Sequence, residues 1–193
     1  MRKILIATSF IIMAMATFSQ PANKSIYSGG MLFLQPGYII TNNPQQNIRD
    51  LSMGIGGILR IYFGRYFTTG IYGGTQKAGY HSENSDQSYI SLGYGGPFLG
   101  FSYKSGKFRY TISAFAGMGS VKNLHIESQT GNSLSDAWLY KYSAFTVSPL
   151  LSVDYSITER LNATVQTICL TAFYDKQRVM VNPVFQIGIL FSR

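Results

Sequence analysis

Residues 88–121 read SYISLGYGGPFLGFSYKSGKFRYTISAFAGMGSV and contain two alternating segments joined by the short turn Lys104–Lys107. In the second segment, from Phe108 to Met118, every other side chain is apolar. The side chains between them are small or polar, apart from Phe115 and the charged Arg109. A repeat of two residues places successive side chains on opposite sides of a β-strand. The stretch therefore predicts a β-hairpin with one apolar face and one small, polar face.

The composition indicates a protein that crosses a membrane with strands. Only 12% of the 193 residues are charged, whereas 15% are aromatic and 20 residues are glycine; soluble domains carry roughly 25% charged residues. Beyond the N-terminus, no apolar run reaches the ~20 residues that a membrane helix needs. In a barrel strand, lipid-facing and lumen-facing residues are interleaved, which hides the strand from a hydropathy scan. We predict a transmembrane β-barrel, with a soluble exported barrel of the lipocalin type as the alternative.

The N-terminus predicts export. Arg2 and Lys3 precede an apolar run from Ile4 to Ala16, and small or polar residues follow it, which is the pattern of a cleaved signal peptide. An uncleaved anchor helix is the alternative, but the run is short for a membrane span. The predicted domains are a signal peptide, a polar lead-in and the barrel, at 1–20, 21–29 and 30–193.

Charge and cysteine content argue against several other classes. The chain has 16 basic and 8 acidic residues, but they form no basic cluster of the kind that binds nucleic acid. Cys169 is the only cysteine, so there is no disulfide framework, and we interpret it as a small packing residue within a strand. His81, His125 and Cys169 lack the spacing of metal ligands, and no glycine-rich phosphate loop precedes a helix. We expect no metal and no cofactor.

The alternation repeats along the chain and predicts an all-β fold, an eight-stranded antiparallel up-and-down barrel. We expect the strands at 30–41, 51–63, 66–80, 88–103, 108–121, 138–155, 161–174 and 179–191. Polar connections are expected at 42–49, 81–87, 125–137 and 175–178, and short turns at 64–65, 104–107 and 157–160. Outer-membrane barrels alternate long extracellular loops with short periplasmic turns, so both termini are expected on the periplasmic side. Gly95-Gly96-Pro97 predicts a bulge or bend, because proline cannot donate to a ladder.

Aromatic residues support the membrane interpretation, because a membrane barrel gathers them in a girdle at each interface. The predicted girdle near the short turns comprises Phe63, Tyr66, Phe67, Phe101, Tyr103, Phe108, Tyr110, Tyr155 and Phe191. The predicted girdle near the loops comprises Tyr80, Tyr89, Trp138, Tyr140, Tyr142, Phe173 and Tyr174. In a soluble β-sandwich, nothing would concentrate aromatic residues at two particular levels along the strands.

These features together resemble a known family. A signal peptide, eight alternating strands, the glycine-rich segment Gly54-Ile55-Gly56-Gly57 and a last strand that reaches Phe191 are similar to the small outer-membrane barrels of the OmpA transmembrane and OmpX type. The resemblance covers essentially the whole mature chain. It implies the fold and a location in the outer membrane, and no motif points to one member of the family.

The polar face predicts a filled lumen, since an eight-stranded barrel is just wide enough to be packed by its own side chains. Arg60, Arg109 and Asp154 each lie a few residues from a short turn and should meet at one end of the lumen. We expect Asp154 to pair with Arg109 on the neighbouring strand and Arg60 to join them, because a buried charge must be paired. The predicted polar network of the lumen comprises Gln35, Arg60, Arg109, Asp154, Gln166 and Gln186. This network favours a structural plug over ion conduction.

An enzyme is a weaker alternative. His81-Ser82-Glu83 and His125-Ile126-Glu127-Ser128 bring histidine, hydroxyl and carboxylate groups together at loop height, and some outer-membrane barrels modify lipid A with such groups. A working site needs a base within hydrogen-bond reach of its nucleophile. Adjacent residues of a strand point in different directions, so the sequence favours no catalytic residues.

Basic residues near the loops suggest a lipid contact. Five of them could hold lipopolysaccharide phosphates through charge-assisted hydrogen bonds, or could be ordinary solvated charges: Lys77, Lys122, Lys141, Lys176 and Arg178. The sequence thus predicts a non-enzymatic outer-membrane protein that is structural or presents its loops to envelope components. The alternatives are a subunit of an envelope or secretion complex, a lipid A-modifying enzyme and a narrow channel.

Overall fold

The computed structural model describes residues 27–42, 46–63, 66–82, 85–130, 133–175 and 178–192. The predicted signal peptide and most of the predicted lead-in lie outside these residues. The described chain forms nine antiparallel strands: β1 Tyr27–Leu34, β2 Gly37–Asn42, β3 Asn47–Phe63, β4 Phe67–Ser82, β5 Ser85–Ser105, β6 Phe108–Thr130, β7 Ser133–Ser156, β8 Leu161–Tyr174 and β9 Arg178–Ser192. The described ranges contain no helix long and apolar enough to cross a membrane.

The strands close into a ring of eight, because β1 and β2 together occupy one strand position in the barrel. Both pair with β3 on one side and with β9 on the other, and every remaining strand pairs with its sequence neighbours. Leu34 lies opposite Ile55 of β3 and Gly37 lies opposite Ser52, so the register is unchanged across the break. The break falls at Pro36, which lacks the N–H that a continuous ladder needs.

Most of the predicted strands and their phase agree with the structure. The predicted strand 161–174 coincides with β8, Leu161–Tyr174. On β6, Ile112 and Met118 are exposed on the outer wall, whereas Thr111, Ser113 and Phe115 are buried in the lumen. The predicted girdle near the short turns lies on the outer wall: Tyr66, Phe67, Phe101, Tyr103, Phe108, Tyr110, Tyr155 and Phe191 are all exposed.

Two of the predicted loops are wrong in extent. β4 runs on to Ser82 and β5 begins at Ser85, so most of the expected loop 81–87 is strand. β6 extends to Thr130 and β7 begins at Ser133, so the expected loop 125–137 is mostly a hairpin with register shifts near Ser128. No bulge forms at Gly95-Gly96-Pro97, because the β5–β6 register is the same on both sides of the interruption.

The extra strand length carries the barrel beyond the lipid. β6 has 23 residues and β7 has 24. At ~3.3 Å per residue such strands are about 75 Å long, and even at a tilt of ~45° they rise about twice the ~25 Å of a barrel's apolar band. β8 and β9, with 14 and 15 residues, are much shorter. The loop end is therefore tallest on the β5–β7 side.

The polarity of the two faces changes on this tall side. Below, the outer wall is apolar and the lumen contains the polar residues, as the sequence predicts. Above, polar side chains appear on the outer wall beside the apolar Leu124 and Leu139, and apolar side chains appear inside beside the polar Asn123 and His125. The polar outward set is Thr75, Lys77, Ser91, Ser120, Lys122, Lys141 and Ser143, and the apolar inward set is Ala78, Ile90, Leu92, Val121 and Ala144. We call the part of the barrel from the level of Lys77, Lys122 and Lys141 to the loop end the rim.

The second aromatic girdle is wrong in part. Tyr80 and Tyr174 are buried inside the barrel instead of facing outwards. The ring centroid of Tyr142 lies 5.7 Å from that of Tyr174, and Tyr142 packs against the buried core. Phe173, by contrast, is exposed on the outer wall, as the sequence predicts.

Candidate functional site

A buried salt bridge forms the centre of the lumen. Arg60 on β3 and Asp154 on β7 lie on opposite walls, and Arg60 Nη1 is 3.1 Å from Asp154 Oδ2. Tyr62 donates to the same oxygen at 3.1 Å, and Thr164 donates to Asp154 Oδ1 at 2.8 Å. Both charged side chains are almost completely buried. The carboxylate thus receives bonds from three residues, which is what makes a buried charge tolerable.

A chain of amides continues from this salt bridge across the barrel. Arg60 Nη2 donates to Gln166 Oε1 at 3.0 Å, and Gln166 Nε2 donates to Gln186 Oε1 at 2.6 Å. Gln186 Nε2 then donates to Gln35 Oε1 at 2.8 Å and to the Tyr72 hydroxyl. The three glutamines come from β8, β9 and the β1–β2 junction. The hydrogen-bonded chain therefore links strands that are far apart in sequence.

An aromatic layer lies next to the amide chain. Tyr94 donates to Gln35 Oε1 at 2.8 Å and its hydroxyl lies 3.0 Å from that of Tyr72. Phe115 packs edge-on against Tyr72, with ring centroids 5.2 Å apart, and Phe33 stacks on Tyr72 from another side at 5.6 Å. Phe115 interrupts the polar face of β6 because it fills this layer. We call the salt bridge, the amide chain and this aromatic layer the plug.

Glycines on β3 and β4 make room for the Gln35 amide. Gln35 Nε2 donates to the main-chain oxygens of Ile55 and Thr75, at 3.0 and 2.7 Å. A Cβ added at Gly54 would lie 1.8 Å from the Thr75 oxygen, and one at Gly74 would lie 2.8 Å from Gln35 Nε2. Side chains larger than hydrogen at these two positions would separate the strands or expel the amide.

Arg109 occupies a different place from the one expected. Its guanidinium lies over the ring of Tyr62, 4.0 Å from the centroid, and it donates to Ser102 Oγ at 3.3 Å. The salt bridge to Asp154 comes instead from Arg60 on the opposite wall. Although Arg109 and Asp154 are direct backbone partners, the guanidinium of Arg60 reaches the carboxylate across the lumen. The expected meeting of Arg60 with Asp154 is therefore confirmed.

A cavity opens at the turn end below the plug. It measures about 520 Å³ and is lined by residues that include Lys104, Lys107, Arg109 and Glu159. Tyr62 and Asp154 also line it, so its inner end meets the salt bridge. The plug thus separates this turn-end cavity from the apolar core of the rim.

Within the described ranges, the polar residues inside the rim bond to one another and to the main chain. Tyr80 donates to Asn123 Oδ1 at 2.7 Å, and its oxygen lies 3.3 Å from His125 Nδ1. Burial outweighs these hydrogen bonds and raises the pKa of the Tyr80 hydroxyl to about 12. The hydroxyls of Ser82 and Ser88 bond to each other and to main-chain groups. Neither serine hydroxyl is paired with an imidazole, which is the arrangement that an activated nucleophile needs.

The histidines and the cysteine are distributed over both faces of the barrel wall. His81 is exposed on the outer side whereas His125 is buried inside, so the two histidines lie on opposite faces. Cys169 lies mid-strand and is half-buried. Within the described ranges, no three His, Cys, Asp or Glu side chains come close enough to hold a metal ion.

Three of the five predicted basic lipid contacts share one place. Lys77, Lys122 and Lys141 are exposed on the outer wall at the base of the rim. Arg178 is different, because it lies on the lumen side of β9 and forms a salt bridge to Asp175 at 3.1 Å. Lys176 lies outside the described residues.

Comparisons with known proteins address the fold. The sequence matches no family model and no curated protein. Among solved structures, the attachment invasion locus protein Ail of Yersinia pestis, in complex with the heparin analogue sucrose octasulfate, aligns with a TM-score of 0.58 at 9% identity, over 88% of this chain and 99% of Ail. Neisserial surface protein A gives a TM-score of 0.58 at 8% identity, over 85% and 96% of the two chains. OprG of Pseudomonas aeruginosa gives 0.52 at 13% identity, over 88% and 96%.

The chain has the fold of a small outer-membrane β-barrel. The predicted fold class and the resemblance to small outer-membrane barrels are therefore confirmed, with the first predicted strand divided into β1 and β2. Identities of this size establish the fold alone and assign no ligand or partner to this barrel. Sequence reasoning had placed the glutamines, Arg60 and Asp154 in the lumen, but it missed Tyr72, Tyr94 and Thr164 as members of the plug. Their position on the inward face was the available signal. Each of the three lies on the same strand face as another inward residue, namely Gln76 on β4, Leu92 on β5 and Gln166 on β8.

Proposed function

We propose that the protein is a non-enzymatic outer-membrane barrel that presents its rim outside the cell to envelope components or a partner protein. The change in the outer wall between the membrane part and the rim carries this proposal. An apolar outer wall below, and lysine and hydroxyl side chains on the outer wall above, fit a barrel whose loop end stands in water beyond the lipid. The described chain ends, at Tyr27 and Ser192, lie at the turn end, which we assign to the periplasm.

The plug supports a role that needs no transport. A salt bridge, an amide chain and an aromatic layer cross a lumen that has little spare width in any eight-stranded barrel. The turn-end cavity stops at Asp154 and Tyr62. The barrel is therefore expected to give no channel openings in a planar bilayer, and openings from the unmodified protein would favour the narrow channel instead.

Lysine labelling of intact cells tests the orientation. A membrane-impermeant amine reagent is expected to label Lys122 and Lys141 at the rim. Lys104 and Lys107, which are exposed at the turn end, are expected to be labelled only after the outer membrane is permeabilised. Peptide mass spectrometry reports the four sites in the same sample, so each pair serves as the control for the other. Labelling of the turn-end pair in intact cells would contradict the proposed orientation.

A further inference from the structure

The turn-end cavity has a cationic wall. The turn between β5 and β6 supplies Lys104 and Lys107, and the first inward residue of β6 is Arg109; all three line the cavity. Gly106 has a φ of +58°, a conformation that lets a very short loop close a hairpin. Lys104 and Arg109 are direct cross-strand partners. The tight turn therefore holds three cations close together at the mouth of the lumen.

The charges of this wall are not balanced by the rest of the cavity. Of the described residues, two carboxylates line it, Asp154 and Glu159, and Asp154 is already paired with Arg60 at 3.1 Å. Three cations therefore share one remaining carboxylate, which leaves an excess of two positive charges. Within the described ranges, neither of the two lysines forms an ion pair. Because like charges directly opposite each other destabilise a sheet, the wall favours an anion from outside the chain.

The guanidinium of Arg109 is held in place before any anion arrives. It lies 4.0 Å from the centroid of the Tyr62 ring and donates to Ser102 Oγ at 3.3 Å. A guanidinium is a planar fork of N–H donors that matches two oxygens of a carboxylate or phosphate group. Contacts that fix the fork in advance lower the entropy cost of binding.

The remaining lining suits the uncharged part of a small ligand. Asn162 on β8 and Leu190 on β9 are both buried and line the cavity. Next to the inner end, Thr111 and Ser152 are also buried, and neither hydroxyl has a hydrogen-bond partner among the described residues. The plug therefore leaves hydrogen-bonding capacity unused at this level. A volume of about 520 Å³ lies in the range of small-molecule sites, roughly 300–1,000 Å³.

We propose that the turn-end cavity binds a small soluble dianion, either a phosphate monoester or a dicarboxylate. Its oxygens accept charge-assisted hydrogen bonds from Arg109, Lys104 and Lys107, and its two charges match the excess of positive charge. Its uncharged part lies towards Asn162 and Leu190. The inference rests on the proposed orientation only for the compartment of the ligand, the periplasm, because the binding measurements use purified protein.

Titration of the purified barrel tests the ligand class. The barrel is placed in nanodiscs of phosphatidylcholine, which has no net charge, and binding is measured by calorimetry at neutral pH. At least one of the dianions glycerol phosphate and succinate is expected to bind about tenfold more tightly than acetate, because the monoanion loses one charge-assisted hydrogen bond. The tighter dianion identifies the charged group as phosphate or carboxylate. No saturable binding of either dianion, or equal affinity for acetate, would overturn the proposal.

Matched double variants locate the site. Lys104→Gln with Lys107→Gln is expected to weaken dianion binding about tenfold. Lys122→Gln with Lys141→Gln removes the same charge at the rim and is expected to leave the affinity unchanged. All four lysines are exposed, so both doubles are expected to keep the gel mobility of the folded barrel. Equal affinities in the two doubles, whether unchanged or reduced alike, would show that the cavity is not the site.

A gain of affinity separates a binding role of the charges from a structural one. Glu159 is exposed in the turn between β7 and β8 and lies outside the plug. Glu159→Gln removes the one unpaired carboxylate of the cavity and is expected to tighten dianion binding about threefold, the effect of one charge at ~6 Å in water. Unchanged or weaker binding by this variant would contradict an anion site.

Discussion

Replacing Asp154 with alanine is expected to lower the free energy of unfolding by about 3–5 kcal/mol, because it leaves the guanidinium of Arg60 buried without its charge partner. Arg60 is almost fully buried, and its Nη1 atom points at the Asp154 carboxylate at 3.1 Å. Tyr62 and Thr164 also lose their acceptor. Urea unfolding in lipid vesicles measures the effect, read as the fraction of protein that keeps the gel mobility of the folded barrel.

A double replacement separates the charge from the packing. Arg60→Met together with Asp154→Leu removes both charges and keeps side-chain volume, so it is expected to be much less destabilised than Asp154→Ala, since well-packed apolar groups often replace a buried ion pair at little cost. If Asp154→Ala alone unfolds at the urea concentration of the unmodified protein, the plug is not a stabilising element.

Replacing Phe115 with alanine is expected to cost about 3–5 kcal/mol, the range for removing a buried aromatic ring from a packed core. Phe115 is 2% exposed and contacts the rings of Tyr72 and Tyr94, with centroids at 5.2 and 5.9 Å. The same urea titration reports the change. Phe101→Ala is the matched control, because that ring is 65% exposed on the outer wall. Comparable losses for the two variants would mean that the aromatic layer contributes no more than a lipid-facing ring.

The sequence predicts the membrane part of the barrel well because the environment of each residue there depends only on which face of its strand it occupies. Each outward residue meets lipid and each inward one meets the plug, so a period of two reveals the phase from Phe108 to Met118 and along Leu161–Tyr174. Phe115 was the visible exception on the polar face, and its place in the aromatic layer is the reason. The alternation alone is sufficient to predict which side chains face outwards, without the chain length or the composition.

The same reasoning fails in the rim. Exposed positions such as Lys122 and Glu127 are polar there, so the sequence predicts a loop although the chain continues as a strand. The inward positions Val121, Asn123 and His125 keep the period of two but mix apolar and polar side chains. Polar composition distinguishes a strand in lipid from a loop, but it does not distinguish a strand in water from a loop.

The geometry of the contact across the lumen could not be predicted because it depends on closure of the barrel. Arg60 and Asp154 are 94 residues apart in sequence and meet because β3 and β7 are opposite strands of an eight-membered ring. Ladder neighbours such as Arg109 and Asp154 follow from the chain order, whereas contacts across the axis require the tilt and stagger of the closed barrel.

The most direct test of the central claim is a ladder of single cysteines along the outer face of β6, in a Cys169→Ser background. The claim is that the barrel wall leaves the lipid at the level of Lys77, Lys122 and Lys141. Cysteine is placed in turn at Ile112, Ala116, Met118, Ser120 and Lys122, and reaction with a membrane-impermeant maleimide is measured in reconstituted vesicles. Strong reaction at 120 and 122, with protection at 112, 116 and 118, is the result we predict. Uniform reaction along the strand, or protection that extends past Lys122, would contradict it.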